Sequence, residues 1–332
     1  MTATTCVIYN PAAGRGRAEK LIQHYRDAAG VDVAFRPTSR AGEAVHLARE
    51  AAEKGFTRVV AAGGDGTVHE VANGILGSGR RETVFCAWPL GSANDYAFTL
   101  GMIEWWVRRS EQLPTEVLEV DVGRVSSGGR ELYFVNALGV GFNGMVTVES
   151  RKIRWLRGMP LYALAFLRAM GRHFATPRMR IRFDETEYDG PTLALTINLG
   201  QREGGFPLTP AASLTDGRFD FMHARKLRRW HLIRYLPAMA RGRLPQNHSL
   251  IRLGQAQRIE VRADSPLCVH ADGEFFCIPE DKMVELVVEV IPRRLRVEVF
   301  PAGLYGGWGG AKIQTAHLDG TGESPRTIKI GG

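Results

Sequence analysis

Residues 58–70 read Arg58-Val59-Val60-Ala61-Ala62-Gly63-Gly64-Asp65-Gly66-Thr67-Val68-His69-Glu70. A short apolar run is followed by three glycines around one acid, and then by a segment of helical period. The pattern predicts a strand over 58–62 and a helix over 67–76. Glycines between two such elements permit turns at positive φ and let backbone N–H groups approach a bulky anion. A helix starting near Thr67 aims its positive end at the same point. Asp65 would repel a phosphate directly. It fits as a ligand of a Mg²⁺ that bridges to phosphate, or as an acceptor that shapes the loop.

Such a stretch alone could be an ordinary strand-to-helix turn, so the neighbouring loops decide. Further strands are expected at 6–9, 32–36 and 83–88, with helices at 18–29, 42–54 and 93–100. Strands alternating with helices predict a parallel sheet covered on its faces, with ligands outside the carboxyl ends of the strands. Two more loops at such ends carry chemistry: Asn10-Pro11-Ala12-Ala13-Gly14 after the first strand, and Gly91-Ser92-Ala93-Asn94-Asp95 after the fourth. Three dressed loops on one sheet edge favour a nucleotide-phosphate site over a plain turn. No GxxxxGK[ST] occurs, and Glu19 stands where GxGxxG would need its last glycine, so neither common fingerprint is present.

From about residue 117 the texture changes to short runs of period two, at 117–125, 132–137, 179–184, 192–198, 218–223, 258–262, 283–290 and 294–300. Their spacing predicts an antiparallel sandwich or barrel, interrupted by helices at 155–174 and 229–241. The expected organisation is an α/β nucleotide-binding domain over 1–116, a β-sandwich over 117–302 and a flexible, Gly-rich tail over 303–332. The stretch near 294–302 is a candidate to return to the first domain.

The composition, 44% apolar and 23% charged over 332 residues, is that of a soluble globular protein. Four cysteines without CxxC spacing suit a reducing compartment, as small buried residues. Neither a signal peptide nor an apolar run of spanning length is visible, which points to the cytoplasm. The net charge of +8 is segregated: 151–182 and 221–259 each hold nine Lys/Arg and no acid, leaving 25 basic against 35 acidic residues elsewhere. Such segregation suits an anionic partner, although a solvated arginine-rich face would look the same. In 155–174, Trp155, Leu156, Met159, Tyr162, Phe166 and Met170 recur at helical steps among arginines, as in an interfacial helix or in a helix facing the core. Nucleic acid is not expected, because no reading module accompanies the arginines.

In the second half, Val269-His270-Ala271 leads into Asp272-Gly273-Glu274. Asp-Gly between strands is first of all a hairpin signal, and His270 is expected to pack within its strand. The two carboxylates could equally serve as a proton acceptor and its neighbour.

Taken in order, Asn10-Pro11 with Gly14, Gly63–Thr67 with Glu70 and Asn73-Gly74, Gly91–Asp95, Gly139-Val140-Gly141-Phe142 and Asp272–Glu274 resemble the diacylglycerol kinase catalytic family. The likeness is strongest to its bacterial soluble lipid kinases, related to sphingosine kinases, and spans residues 6 to about 302. It implies a phosphofructokinase/NAD-kinase-like first domain, ATP and Mg²⁺ as cofactors, and a lipid alcohol as acceptor. The nucleotide contacts it implies are Asn10, Pro11, Ala12, Ala13, Gly14, Thr38, Gly64, Asp65, Gly66, Thr67, Val68, His69, Glu70 and Ser92. It implies Asp272 as proton acceptor with Glu274 beside it, Asp65 and Asp95 in the metal–carboxylate network, and a structural Mg²⁺ on Ser213, Asp216 and the Arg218 carbonyl. Ser92 stands where threonine is usual, and Thr215 where many members carry an acid, which weakens the structural metal site. The rival readings are a kinase of NAD or another small molecule, and a lipid- or nucleotide-binding protein without turnover. An anionic membrane surface is the expected partner, bound peripherally.

Overall fold

The computed structural model describes residues 4–28, 32–153, 155–243 and 249–301, and the expected tail over 303–332 lies outside them. The first lobe runs β1 (Thr5–Tyr9), α1 (Arg17–Ala28), β2 (Val33–Pro37), α2 (Glu43–Glu53), β3 (Arg58–Gly63), α3 (Asp65–Ser78) and β4 (Val84–Pro89). Two short helices follow, α4 (Asp95–Thr99) and α5 (Met102–Val107). The strands pair in parallel in the order β4-β3-β1-β2. Val59 to Ala62 are all wholly buried, as a strand covered on both faces requires. Gly74 explains how α2 and α3 pack so closely: a Cβ there would sit 2.4 Å from the Val45 carbonyl oxygen.

The second lobe contains β5 (Glu116–Ser127), β6 (Arg130–Phe134), β7 (Ala137–Gly141), α6 (Phe142–Arg151), α7 (Gly158–Arg172), β8 (Arg178–Phe183) and β9 (Thr186–Asn198). It continues with β10 (Phe219–Arg225), α8 (Arg229–Ala240), β11 (Ile251–Ala256), β12 (Arg258–Ala263), β13 (Val269–Ala271), β14 (Glu274–Cys277) and β15 (Glu285–Val299). The expected architecture, an α/β lobe followed by a mainly antiparallel sandwich, is present. One layer is β8-β12-β15-β5-β6 and the other β14-β13-β7-β9-β10-β11. β9 belongs to both, pairing with β8 through residues 186–191 and with β7 beyond them. Between the layers Phe183 stacks on Phe221 at 4.2 Å and Phe134 on Phe219 at 5.7 Å. All four cysteines are buried and free, and burial pushes the Cys6 thiol up to about 11.

Two expectations need correction. The runs 283–290 and 294–300 are one strand, β15, whose register to β5 shifts between Ile291 and Leu295. Pro292 has no N–H to give there and Arg293 takes φ +48°, so the ladder bulges and resumes. Beyond the bulge β15 pairs in parallel with β4 at Arg296 and Val297, and Glu298 accepts from Arg58 (2.7 Å) and Thr115 (2.7 Å). The run 132–137, by contrast, is not one strand but β6 and β7 with a corner at Val135-Asn136. The cause lies far away in sequence, at Asp272.

Candidate active site

β1, β3 and β4 end on one edge, and the loops that leave them meet. Asn10 Oδ1 accepts from the Ala12 amide at 2.9 Å and folds the first loop. Gly64 caps α3 with no side chain, and Gly91 crosses it so closely that a Cβ on Gly91 would stand 2.3 Å from Gly64 Cα. The glycines are therefore demanded by loop-to-loop contact as well as by any ligand. Asp65 fastens the same pair of loops: its carboxylate accepts from the amides of Asn94 (2.9 Å) and Asp95 (2.7 Å). Asn94, at φ +54°, closes its own loop by accepting from the Gly91 amide. Of the two roles open to Asp65, loop shaping is the one these contacts perform.

Asp95 is buried and accepts from the Gly205 amide at 3.0 Å, with Arg202 at 3.7 Å as its nearest cation. Burial, then the charge of Asp65, push its pKa up to about 7. The Asp65 carboxyl is also raised, chiefly by burial.

Asp272 and Gly273, at φ +53° and +86°, form the two-residue turn of the β13–β14 hairpin, so the hairpin reading of Asp-Gly is right. The Asp272 side chain does more. Its Oδ1 accepts from the amides of Asn136 (2.9 Å) and Ala137 (3.0 Å). Its Oδ2 accepts from the Val135 amide (3.0 Å) and lies 3.0 Å from His69 Nδ1. Four partners fill the four lone-pair directions of one carboxylate. That is what bends 132–137 into a corner and ties it to α3. Glu274, half exposed, pairs with Arg151 at 2.7 Å. His270 is buried in β13 as expected, with Nε2 3.1 Å from Glu203 Oε1.

These groups face one cavity of about 440 Å³ between the lobes. Its polar end is lined by Asn10, Ala12 to Gly14, Gly64 to Val68, Ser92, Asp95, Asp272 and Glu274. Its other end is apolar: Phe166 of α7, Phe206 and Leu208, Met222 of β10, and Leu236 and Met239 of α8. Tyr162 stands where the two meet, its hydroxyl pKa pushed up by burial and then by Asp65 and Asp95.

Several expected contacts are not among the lining residues. Thr38 is bonded through its amide and hydroxyl to the Tyr9 carbonyl. Glu70 accepts from the amides of Gly42 (2.9 Å) and Ala44 (3.0 Å) and so caps α2. His69 faces Asp272, and Pro11 is not among the lining residues. Ser213, Asp216 and Arg218 lie beside Asp121 on the turn before β10: Ser213 Oγ accepts from the Thr215 amide and Asp216 Oδ1 from the Arg218 amide. Ser213 Oγ and Asp216 Oδ1 thus each accept one amide within the turn, and with the Asp121 carboxylate beside them they are oxygens of the type a hard cation takes. Asp65 and Asp95 are two buried carboxylates facing the cavity, with pKa values raised chiefly by burial, and oxygens of this kind suit a divalent cation. No cluster of three or more His, Cys, Asp or Glu poised for a metal occurs among the described residues.

Sequence reasoning missed Glu203, Arg202, Asn143 and Tyr162. Glu203 and Arg202 sit in an irregular stretch marked in sequence only by the Gly204-Gly205 pair, and Asn143, which lines the cavity, is the second residue of α6, whose N-cap Gly141 brings no side chain.

A parallel-sheet lobe whose glycine loops face a carboxylate cluster across a cleft, closed by an antiparallel sandwich, is the arrangement of a two-lobed phosphotransferase. Residues 4–125 match the diacylglycerol kinase catalytic domain, and residues 136–299 the YegS C-terminal NAD kinase beta sandwich-like domain. The chain is 30% identical over 277 residues to the diacylglycerol kinase of Bacillus subtilis (strain 168), covering 81% of this chain and 89% of that one. It is 32% identical over 252 residues to a Chromohalobacter salexigens protein named "Probable lipid kinase YegS-like", covering 74% and 78%. A crystal structure of a diacylglycerol kinase from Bacillus anthracis str. Sterne shares the fold, with a TM-score of 0.65 at 21% identity over 90% of this chain and 97% of that one. The chain belongs to the diacylglycerol kinase catalytic family and is a kinase.

Proposed function

We propose that the chain transfers the γ-phosphoryl group of ATP to the hydroxyl of a lipid alcohol such as diacylglycerol. One observation carries this reading: a single cavity runs from the glycine loops to an apolar arm. The loops Asn10–Gly14 and Gly64–Val68, with Ser92, offer backbone N–H groups and a helix N-terminus to a polyphosphate. The arm offers Phe166, Phe206, Leu208, Met222, Leu236 and Met239 to hydrocarbon. A polar acceptor such as a dinucleotide would bury hydroxyls and amides there without partners, which argues against an NAD kinase.

In the reaction the acceptor oxygen bonds to the γ-phosphorus as the bond to the β-phosphate oxygen breaks, and the hydroxyl proton goes to Asp272, with Glu274 beside it. His69 shares Asp272 Oδ2 and acts as a positioning residue, so a proton arriving on that oxygen weakens the His69 contact. Asp65 keeps the two glycine loops together and, with Asp95, would hold Mg²⁺. When bound, that ion would neutralise charge on the transferring phosphoryl group. Tyr162 separates the charged end from the arm.

The test is turnover with labelled ATP on a water-soluble short-chain diacylglycerol, on NAD and without acceptor, followed by mass identification of the product. Phosphorylated lipid supports the reading. Phosphorylated NAD, or nucleotide binding without any product, overturns it.

A further inference from the structure

We infer that Glu203 and His270 form a specificity subsite that takes a hydrogen-bond donor of the acceptor lipid, a second hydroxyl or an amine beside the hydroxyl that is phosphorylated. This rests on the lipid acceptor proposed above and narrows its class. Both residues line the cavity. Gly204, next to Glu203, lies against the Tyr162 ring, where a Cβ would come within 3.0 Å, so this turn stands at the junction of the polar end and the arm. The other carboxylates there are engaged: Asp65 and Asp95 by amides, Asp272 by four partners and Glu274 by Arg151. Glu203 differs. Its Oε1 lies 3.1 Å from His270 Nε2 and 3.4 Å from Asn143 Nδ2, whereas Oε2 is buried with no hydrogen-bond partner among the described residues. His270 is 3% exposed, and its Nδ1 is likewise without a partner among them.

The fold holds these atoms in place. Glu203 and Phe206 exchange backbone hydrogen bonds at 2.9 and 3.0 Å across Gly204-Gly205, whose φ values are +60° and +84°. Asn136 Nδ2 donates to the Arg202 carbonyl at 2.9 Å, and the Gly205 amide donates to Asp95, so the turn is fastened on two sides. Asn136 is also the residue whose amide binds Asp272, which ties the turn to the proton acceptor. Gly139 leaves room for the His270 ring, since a Cβ there would stand 2.3 Å from Nε2. A buried carboxylate oxygen held in this way without a donor invites one from the ligand. It can only accept, and the tautomer that turns Nε2–H toward Glu203 leaves Nδ1 as a second acceptor. Diacylglycerol has one O–H, which goes to Asp272, and its ester oxygens offer these groups nothing. A monoacylglycerol-like diol or an amino alcohol keeps a donor on the next carbon.

The experiment compares water-soluble acceptors of equal acyl length on the full chain: a 1-monoacylglycerol, its 2-amino analogue, the diacylglycerol, and the monoacyl ester of ethylene glycol, which has one hydroxyl and no second donor. Affinity is measured by calorimetry with a non-hydrolysable ATP analogue present, and kcat/KM with ATP. The monoacylglycerol or its amino analogue should exceed the ethylene glycol ester about tenfold or more in both, and the better of the two tells hydroxyl from amine. Glu203→Gln should narrow that ratio to within about threefold, by taking away the charged acceptor. A merely structural role for Glu203 would instead weaken all acceptors and the ATP analogue alike, and that result overturns the inference. So does equal affinity of the wild type for all four lipids, which would leave the free oxygen to water. Donor-dependent binding without turnover of any acceptor would sink the kinase reading and leave the subsite standing. Turnover of all four with equal kcat/KM would do the reverse.

Discussion

Replacing Asp272 by asparagine should cost stability as well as activity, and the structure sets the size of the loss. One amide oxygen can still accept from Asn136 and Ala137, which now use Oδ1 at 2.9 and 3.0 Å. The new NH₂ group then faces the Val135 amide and His69 Nδ1, both 3.0 Å from Oδ2 in the native chain. A donor against a donor leaves the Val135 N–H unsatisfied in a buried corner, at about 1–3 kcal/mol for such a group. Exchanging charge-assisted bonds for neutral ones at the other amides adds to this, for about 2–5 kcal/mol in all. A lobe of this size loses roughly 2–4 °C in Tm per kcal/mol, so the variant should melt about 5–15 °C lower. Urea unfolding followed by circular dichroism, with a thermal melt alongside, measures both quantities. A Tm indistinguishable from wild type would refute the four-donor anchor. The outcome also decides how kinetics are read, because lost turnover in this variant cannot be ascribed to proton transfer alone. Glu274→Gln is the cleaner companion: its ion pair with Arg151 is half exposed, and such a pair is worth about 0–1 kcal/mol. A large loss of turnover there, at unchanged Tm, reports chemistry.

Four further substitutions probe the glycine loops, a buried carboxylate of the site and the packing of α7 on α6. Gly91→Ala puts a methyl 2.3 Å from Gly64 Cα, where only backbone could yield, so it should destabilise by about 1–3 kcal/mol and weaken binding of an ATP analogue in calorimetry. Gly64→Ala, whose Cβ would have 3.2 Å to Gly91 Cα, should be milder in the same assay. Asp95 has a folded-state pKa raised from 3.8 to about 7, so the chain without a bound cation binds more protons folded than unfolded between those values. Its stability should then be complete at acid pH and fall as pH rises toward 7, and Asp95→Asn should flatten that slope in melts across pH. Glu149, wholly buried on α6, holds Lys152 (2.7 Å), Arg172 (3.0 Å) and His173 (3.2 Å), and these contacts, Lys152 foremost, lower its pKa to about 2. Its contribution is present above about 4.5 and is lost as pH falls toward 2; Glu149→Gln should loosen α7 from α6 at neutral pH, seen as faster amide exchange in α7.

Much of the first lobe was legible because β1, β3 and β4 are short, apolar and followed at once by a loop that lines the cavity. The expected strand 58–62 and the observed Arg58–Gly63 differ by one residue. What could not be read were positions fixed by partners distant in the chain. The corner at Val135-Asn136 depends on a carboxylate at residue 272. Thr38, His69 and Glu70 sit at or near the glycine loops in sequence, yet their polar atoms are committed to Tyr9, Asp272 and the start of α2. Gly91 could be read as a turn residue, but its contact with Gly64 is a fact of two loops meeting in space.

The basic segments show the same limit from the side of charge. Arg178, Arg180 and Arg182 looked like part of a cationic face, and β8 does point all three outward while Met179, Ile181 and Phe183 turn in. Yet a strand has neighbours, and β9 and β12 bring Asp189, Glu187 and Glu260 against these arginines. They form a solvated, neutralised face, the plainer of the two readings of a charge run. On α7 and α8 the pattern differs: Arg172 pairs with Glu149 of α6, while Arg228, Arg229 and Arg234 are exposed and form no ion pair among the described residues. Composition treats the two groups alike. The difference between a ladder that pairs its charges and a helix face that leaves them open is one of tertiary neighbours, which a count along the chain does not contain.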